Sequence, residues 1–301
     1  MTTVRMPPRA ATIADIPAIA RVAAASDEPI EAPGVPGSPY AEHLLQRGTV
    51  VVAETTDGVV VGYASAVTIG PWRHVTDLFV HPSARDRGTG AALLAAALDG
   101  ADAATAFCSE DPRALPLYVR AGLRALWPNL YLEGRPGRLP DPELEVRVVT
   151  PGEAAAAELD VTGRDRGRDH EYWGSRRGAT PFIVLDGNAV LGAGAAVHRR
   201  GRPGRWLPHL VIAPGADASA VALAALHATA PGGVIGPTDE PGRPRRPDTA
   251  QPPTSVCVPG PHPVLPVLLR FGFRIVDRDL FMATDLDLVD PERILPDPSL
   301  L

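Results

Sequence analysis

The feature that most constrains this chain is that it repeats itself. The segment Leu115-Pro116-Leu117-Tyr118-Val119-Arg120-Ala121-Gly122-Leu123-Arg124 returns 150 residues later as Leu265-Pro266-Val267-Leu268-Leu269-Arg270-Phe271-Gly272-Phe273-Arg274, with five of ten positions identical. Self-similarity at a fixed offset means one structural unit used twice. Two further places agree in order and position. Val50–Glu54 and Val59–Val67 flank Asp57-Gly58, as Phe182–Leu185 and Ala189–Val197 flank Asp186-Gly187-Asn188. Both read as strand–turn–strand with Asp-Gly at the hairpin tip. A length of 301 residues suits two domains of about 150 each. The expected domains are 1–140 and 141–301, with Gly134–Pro142 as linker.

In the first copy Arg9–Thr12 reads as a strand, and Thr12 caps a helix to about Ala25, with Asp15 completing a near capping box. Pro29–Pro39 reads as a loop, Tyr40–Gln46 as a short helix, and Val75–Val80 as a further strand. A helix follows from about Thr89 to Leu98, then a strand at Thr105–Cys108 and a helix at Ala114–Ala121 ended by Gly122. In the second copy Pro237–Pro253, rich in Pro and Arg, reads as a surface loop.

Composition narrows the function classes. All 29 basic residues are arginine, and net charge is −6. Residues 1–141 and 142–301 each carry −3, so neither half has the basic excess of a nucleic-acid binder. Cys108 and Cys257 are the only cysteines, too few for a disulfide framework or a cysteine metal site. No apolar run approaches the roughly 18 residues of a membrane span, and the N-terminus lacks a secretory pattern. The expectation is a soluble, cytoplasmic protein without membrane or nucleic-acid partners.

The chemistry lies in Asp77-Leu-Phe-Val80-His-Pro-Ser-Ala-Arg85-Asp-Arg-Gly88-Thr-Gly90-Ala-Ala-Leu-Leu. A strand runs out at Val80, His81-Pro82 makes a corner, and Arg85–Gly90 opens a helix that is apolar all round, which predicts burial. The first N–H groups of a helix have no internal partners, and the dipole adds partial positive charge. A pyrophosphate can accept those hydrogen bonds. Gly88 and Gly90 let backbone approach phosphate, and Arg85 and Arg87 add charge-assisted contacts.

An Arg-x-x-Gly-x-Gly loop preceded by Val-His-Pro and followed by an Ala/Leu helix resembles that of the GNAT superfamily of N-acyltransferases. The resemblance runs over residues 9–124, from Arg9-Ala-Ala-Thr-Ile-Ala-Asp15 to the terminal Leu-Tyr-x-x-x-Gly. It implies an α/β (α+β) fold: two tandem GNAT-type domains, each a mixed, mostly antiparallel sheet flanked by helices. It implies an acetyl-CoA donor (or another acyl-CoA) held by Arg85, Asp86, Arg87, Gly88, Thr89 and Gly90, with the pantetheine arm along the backbone of Phe79 and Val80. Transfer to a small-molecule or peptide amine would be direct, with an oxyanion stabilised by backbone N–H near Val80. Tyr118 matches the family tyrosine that protonates the leaving thiolate. Where the family has Asn seven residues earlier, contacting the cofactor, this chain has Asp111, an equally good helix cap and a poorer cofactor contact.

A general base has two candidates. His74, eleven residues before Arg85, has the spacing of a catalytic Glu or His in several family members. Asp77, eight before, can act as base or bind the substrate ammonium. Glu28, Glu31 and Tyr40 stand where the family varies its acceptor pocket.

The second copy keeps the apolar pattern and loses the chemistry. Aligning Val80-His81-Pro82 with Ile212-Ala213-Pro214 sets Arg85 against Asp217, Gly88 against Ala220, Gly90 against Ala222 and Tyr118 against Leu268. This predicts a degenerate repeat, one cofactor per chain, and a monomer built as an internal pseudo-dimer. Residues Arg164 to Trp173 read either as a wall of the acceptor pocket or as a salt-bridged surface helix, and Asp285–Leu301 as a final strand and tail. Two other functions compete with acyl transfer. One is a non-catalytic acyl-CoA or metabolite sensor, and the other, disfavoured by the intact loop and the charge, is transfer from aminoacyl-tRNA.

Overall fold

The computed structural model describes residues 7–26, 39–199, 201, 203–236 and 252–301. Along the chain run β1 (Arg9–Ala10), α1 (Ile16–Ala24), α2 (Pro39–Arg47), β2 (Gly48–Glu54), β3 (Val60–Ile69), β4 (Trp72–Val80), α3 (Thr89–Ala97), β5 (Ala104–Cys108), α4 (Ala114–Arg120) and β6 (Arg124–Gly134). The second half supplies β7 (Glu145–Val148), α5 (Pro151–Thr162), α6 (Gly167–Ser175), β8 (Thr180–Asp186), β9 (Ala189–His198), β10 (Arg205–Ile212) and α7 (Ala218–Ala228). It ends with β11 (Thr254–Pro259), α8 (Leu265–Arg270), β12 (Arg274–Ala283) and β13 (Ile294–Leu295). No helix among the described residues is long and apolar enough to cross a membrane.

The chain forms two compact units. Unit 1 is Met1–Leu126 with Leu280–Leu288 and Leu300, and unit 2 is Trp127–Asp279 with Val289–Ser299 and Leu301. The division thus falls inside β6, ahead of the expected 140/141. The segment read as a linker is packed: Pro136–Arg138 forms a 3-10 turn, and Leu139 joins the unit 2 core.

Unit 1 has the strand order β1-β2-β3-β4-β5, completed by the Leu280–Ala283 end of β12, which pairs antiparallel with β5. Only β4 and β5 run parallel. Unit 2 has the order β7-β8-β9-β10-β11, completed by Asn129–Gly134 of β6 antiparallel to β11, again with one parallel pair, β10 and β11. Each mostly antiparallel sheet therefore takes its sixth strand from the opposite half of the sequence.

The repetition extends to irregularities. Pairing of β2 with β3 slips between Ala53 and Glu54, and that of β8 with β9 between Val184 and Leu185. Pairing of β3 with β4 slips at Thr76, and that of β9 with β10 between Trp206 and His209. An extra residue in one strand bends it and re-aims the side chains beyond it.

Local chemistry accounts for the helices that frame unit 1. Before α1 the Asp15 carboxylate accepts from Thr12 N–H at 2.7 Å and holds the Arg9 guanidinium at 2.8 and 2.9 Å. Ile16, Ile19, Val22 and Ala23 then bury one face of α1. Helix α3 buries Thr89, Leu93, Leu94 and Ala97, but Ala91 and Ala95 are exposed. The expectation of burial all round is corrected: alanine is small enough that an outward apolar face costs little. In unit 2 the cluster read as a surface helix is also corrected, because Asp169, His170, Tyr172 and Trp173 of α6 are buried.

Candidate active site

The loop after β4 has the shape its residues predict. His81 Nδ1 accepts from Ser83 N–H, Pro82–Ala84 make a 3-10 turn, and Thr89 Oγ1 donates to Ala84 O at 3.1 Å. Asp86 and Gly88 both take left-handed backbone, at φ +62° and +77°. Gly88 is the N-cap of α3, and no side chain caps that terminus. The exposed Asp86, Arg87 and Gly88 surround it. A Cβ on Gly90 would only touch Leu117 Cδ2 at 3.5 Å and Val80 Cγ2 at 3.8 Å, so internal packing does not require glycine there.

Strand β4 is the other wall. His81 N–H donates to Val61 O at 2.8 Å, so by alternation Phe79 also faces β3 while Val80 turns its N–H and C=O away. On that side β5 pairs only with Arg73, His74 and Val75, and the two strands then separate. Of the two backbones expected to meet a pantetheine arm, Val80 has the orientation for it. Arg85 Nε donates to Val80 O at 2.9 Å and fixes the loop against the strand end.

Tyr118 is buried in the cluster of Val75, Leu94, Ala106, Cys108, Leu123 and Met282. Asp111 pairs with Arg113, accepting from its Nη2 at 2.6 Å and its backbone N–H at 2.9 Å. Hydrogen bonding to Arg113 lowers the Asp111 carboxyl below its usual range, and the charge of Arg85 adds to this. Asp111 thus serves local turn geometry, as its capping chemistry allows.

The face of β4 turned toward α1 and α2 holds both base candidates. Residues 74 and 77 would lie on opposite faces of a regular strand; the extra residue at Thr76 puts both on one. His74 is fully buried, with Nδ1 at 2.9 Å from Thr105 Oγ1 and its ring edge-on to Phe107. Asp77, 5% exposed, accepts from Ser65 Oγ at 2.8 Å and from Tyr40 Oη at 3.0 Å. Burial raises the Asp77 carboxyl above its usual range, against the opposing pull of the Ser65, Tyr40 and Thr76 hydroxyls. Tyr63, its ring tilted by 32° against that of Phe79 at 5.5 Å, is 1% exposed, and its hydroxyl has no hydrogen-bond partner. An apolar cavity bounded by Ile16, Ile19, Leu44, Val50, Tyr63 and Ser65 adjoins this group. Ser65 and Tyr63 carry no sequence signal; only their register opposite Asp77 and Phe79 identifies them. Glu28 and Glu31 lie outside the described residues.

Unit 2 has closed every equivalent opening. Asp217 caps α7 by accepting from Ala220 N–H at 3.0 Å, so a carboxylate stands where an anion would sit. Ile212 N–H, the counterpart of Val80 N–H, donates to Arg293 O at 2.9 Å. Next to it β13 pairs with Leu210 and Val211 in the space where β10 leaves β11.

Comparison with known proteins agrees with this geometry. Residues 46–123 match the family model of the acetyltransferase (GNAT) domain. Among solved structures, a candidate acetyltransferase of Pyrococcus horikoshii superposes with a TM-score of 0.64 at 17% identity, covering 100% of this chain and 95% of its own. A GCN5-related N-acetyltransferase from Sphaerobacter thermophilus gives 0.56 at 20% identity, covering 98% of both chains. A tandem GNAT protein from the clavulanic acid biosynthesis pathway gives 0.57 at 18% identity, covering 95% of this chain and 100% of its own. At these identities the structures speak for the fold, and the family model speaks for the segment that carries the loop. Residues 46–123 thus match the acetyltransferase (GNAT) domain, and the chain as a whole has the fold of tandem GNAT proteins.

Proposed function

We propose that this protein is an acetyl-CoA-dependent N-acetyltransferase with one donor site per chain, acting on a small-molecule or peptide amine. The observation that carries the reading is a contrast between two copies of one fold. The N-terminus of α3 has no side-chain cap and follows a left-handed Gly88, whereas that of α7 is capped by Asp217. Arg85, Arg87 and the first N–H groups of α3 suit a pyrophosphate, and Val80 N–H suits an amide of the pantetheine arm. Bound there, the donor supplies an activated thioester acyl group. Asp77 is the better-placed base, because it ionises within a cluster of hydroxyls beside a cavity, while His74 is enclosed by Thr105 and Phe107. In this reading Asp77 Oδ2 takes the proton of the acceptor ammonium, and Tyr118 Oη gives one to the departing sulfur.

Thermal melts with acetyl-CoA test the assignment. Saturation at about 100 times the dissociation constant adds roughly 2.7 kcal/mol, with one equivalent bound per chain by calorimetry. No shift, or an equal shift in Arg85→Ala and Gly88→Asp, refutes it. Binding without thiol release against any amine supports the sensor instead.

A further inference from the structure

Unit 2 contains a buried side-chain cluster that donor binding does not use. Glu158 of α5, His170 of α6 and His209 of β10 come from three elements and are each at most 2% exposed. Glu158 Oε2 lies 2.7 Å from His170 Nε2 and 2.9 Å from His209 Nε2, so both imidazoles converge on one oxygen. All three ligand atoms lie within 4.8 Å of one another. The rings are held in place. His209 stacks on Trp173 with centroids 4.4 Å apart, His170 meets the same ring edge-on, and Trp173 Nε1 donates to Asp297 at 3.0 Å.

We propose that Glu158, His170 and His209 form a binding site for one divalent transition-metal ion of the zinc class. Two imidazole nitrogens and one carboxylate oxygen are the donor set such ions take. Bonds of about 2.0–2.1 Å require tetrahedral edges near 3.3 Å, so an ion would have to push Glu158 Oε2 about half an ångström away from each ring nitrogen, from 2.7 and 2.9 Å. Charge favours a cation as well. Glu158, Asp169 and Asp297 are buried acids, opposed by Arg166, which is engaged with Asp169 and Leu301 O, and by the half-buried Arg164. Among the carboxylates and guanidinia of this group the acids outnumber the arginines three to two. The Nδ1 atoms of both rings have no hydrogen-bond partner. Metal histidines usually donate that second N–H to a carboxylate or carbonyl, worth 10- to 100-fold in affinity. The site is therefore expected to bind about 10- to 100-fold more weakly than one in which both rings have that partner. His209 stands in β10 where Asp77 stands in β4, so the ion would tie α5 and α6 to the strand that in unit 1 carries the proposed base.

The full-length protein is stripped with a chelator and titrated with Co2+ and Zn2+. The site predicts one equivalent of Co2+ with visible d–d bands of a nitrogen–oxygen ligand set, and a melting temperature raised by Zn2+. Glu158→Gln and His209→Gln, which keep shape and hydrogen bonding, should weaken uptake at least tenfold and leave acetyl-CoA affinity unchanged. His262→Gln, outside the cluster, should bind as the parent does. A parent that shows neither Co2+ bands nor a Zn2+ shift overturns the proposal, as does equal uptake by Glu158→Gln and His209→Gln. Thiolate charge-transfer bands would also overturn it, by moving the ion to a cysteine. Should the variants fail to fold, the spectrum of the parent decides alone.

Discussion

Replacing Asp77 by Asn should separate catalysis from stability, and the structure gives the sign of both effects. The two good hydrogen bonds to Oδ2, from Ser65 at 2.8 Å and Tyr40 at 3.0 Å, can be accepted equally by an amide oxygen. A hydrogen bond to a charged acceptor contributes about 1.5–3 kcal/mol against about 0.5–1.5 for a neutral one, so the two together lose roughly 2–3 kcal/mol. Burial of the charge works the other way and prevails, because the Asp77 carboxyl is raised on balance. A carboxyl with a raised folded pKa supports the fold below its unfolded value of about 3.9. That contribution is lost as pH rises through the folded value, and above it the ionised group is a net cost. Asp77→Asn removes the cost, so the melting temperature at neutral pH should stay level or rise by a few degrees. Turnover should fall about 10²- to 10⁴-fold with the loss of a general base, with acetyl-CoA affinity within a factor of about two. In the parent, kcat/KM rises with pH through a pKa above about 3.9, and this limb should vanish in the variant. Thiol release with an amine the parent accepts, measured beside a melt, reads all of this. A variant within threefold of parental kcat, or one melting more than about 4 °C lower (roughly 1–2 kcal/mol for a domain of this size), refutes the reasoning.

Tyr118→Phe keeps the buried ring and removes the proton donor. It should lower kcat at least tenfold with acetyl-CoA affinity unchanged; parental turnover would exclude Tyr118 as the acid. Asp15→Asn breaks the pair that, chiefly through Arg9, holds the Asp15 carboxyl down to about 2. A depressed carboxyl stabilises above its unfolded value of about 3.9 and loses that contribution toward pH 2, so urea melts should show a deficit of about 1 kcal/mol at pH 7 that shrinks below pH 3. A deficit constant across pH would show that the cap and not the charge matters. A fragment of residues 1–141 lacks the strand that pairs with β5 and should show no acetyl-CoA shift. A fragment that binds with full-length affinity would show that strand to be dispensable.

What was legible in the sequence was local or periodic. The Arg85–Gly90 loop stood out because a site for an anion would need those residue types consecutively, and the repeat was visible because the apolar pattern is kept in both copies while the loop residues are not. The exchanged strands were not legible. Arg124–Gly134 contains Pro128 and no clean alternation, and its partner β11 lies more than a hundred residues away. Nothing local to Thr76 marks a bulge, yet that one residue puts Asp77 on the face of His74. The enclosure of His74 depends on Thr105 and Phe107, which reach it only through the parallel pairing of β4 with β5. Likewise Arg164–Trp173 reads as a charged surface helix until α5 and β10 bring Glu158 and His209 against it.

The strand at Leu280–Ala283 sets a timetable for synthesis. Every residue of the proposed donor site has been translated by Tyr118, but the sheet that carries it stays one strand short until residue 283 has left the ribosome. At about 5–20 residues per second that interval is roughly 8–33 s. During it the outer edge of β5, with its unpaired backbone groups, is open to the wrong partner. A neighbouring nascent chain offers the same strand, so crowded polysomes are where intertwined dimers of this protein should first be sought.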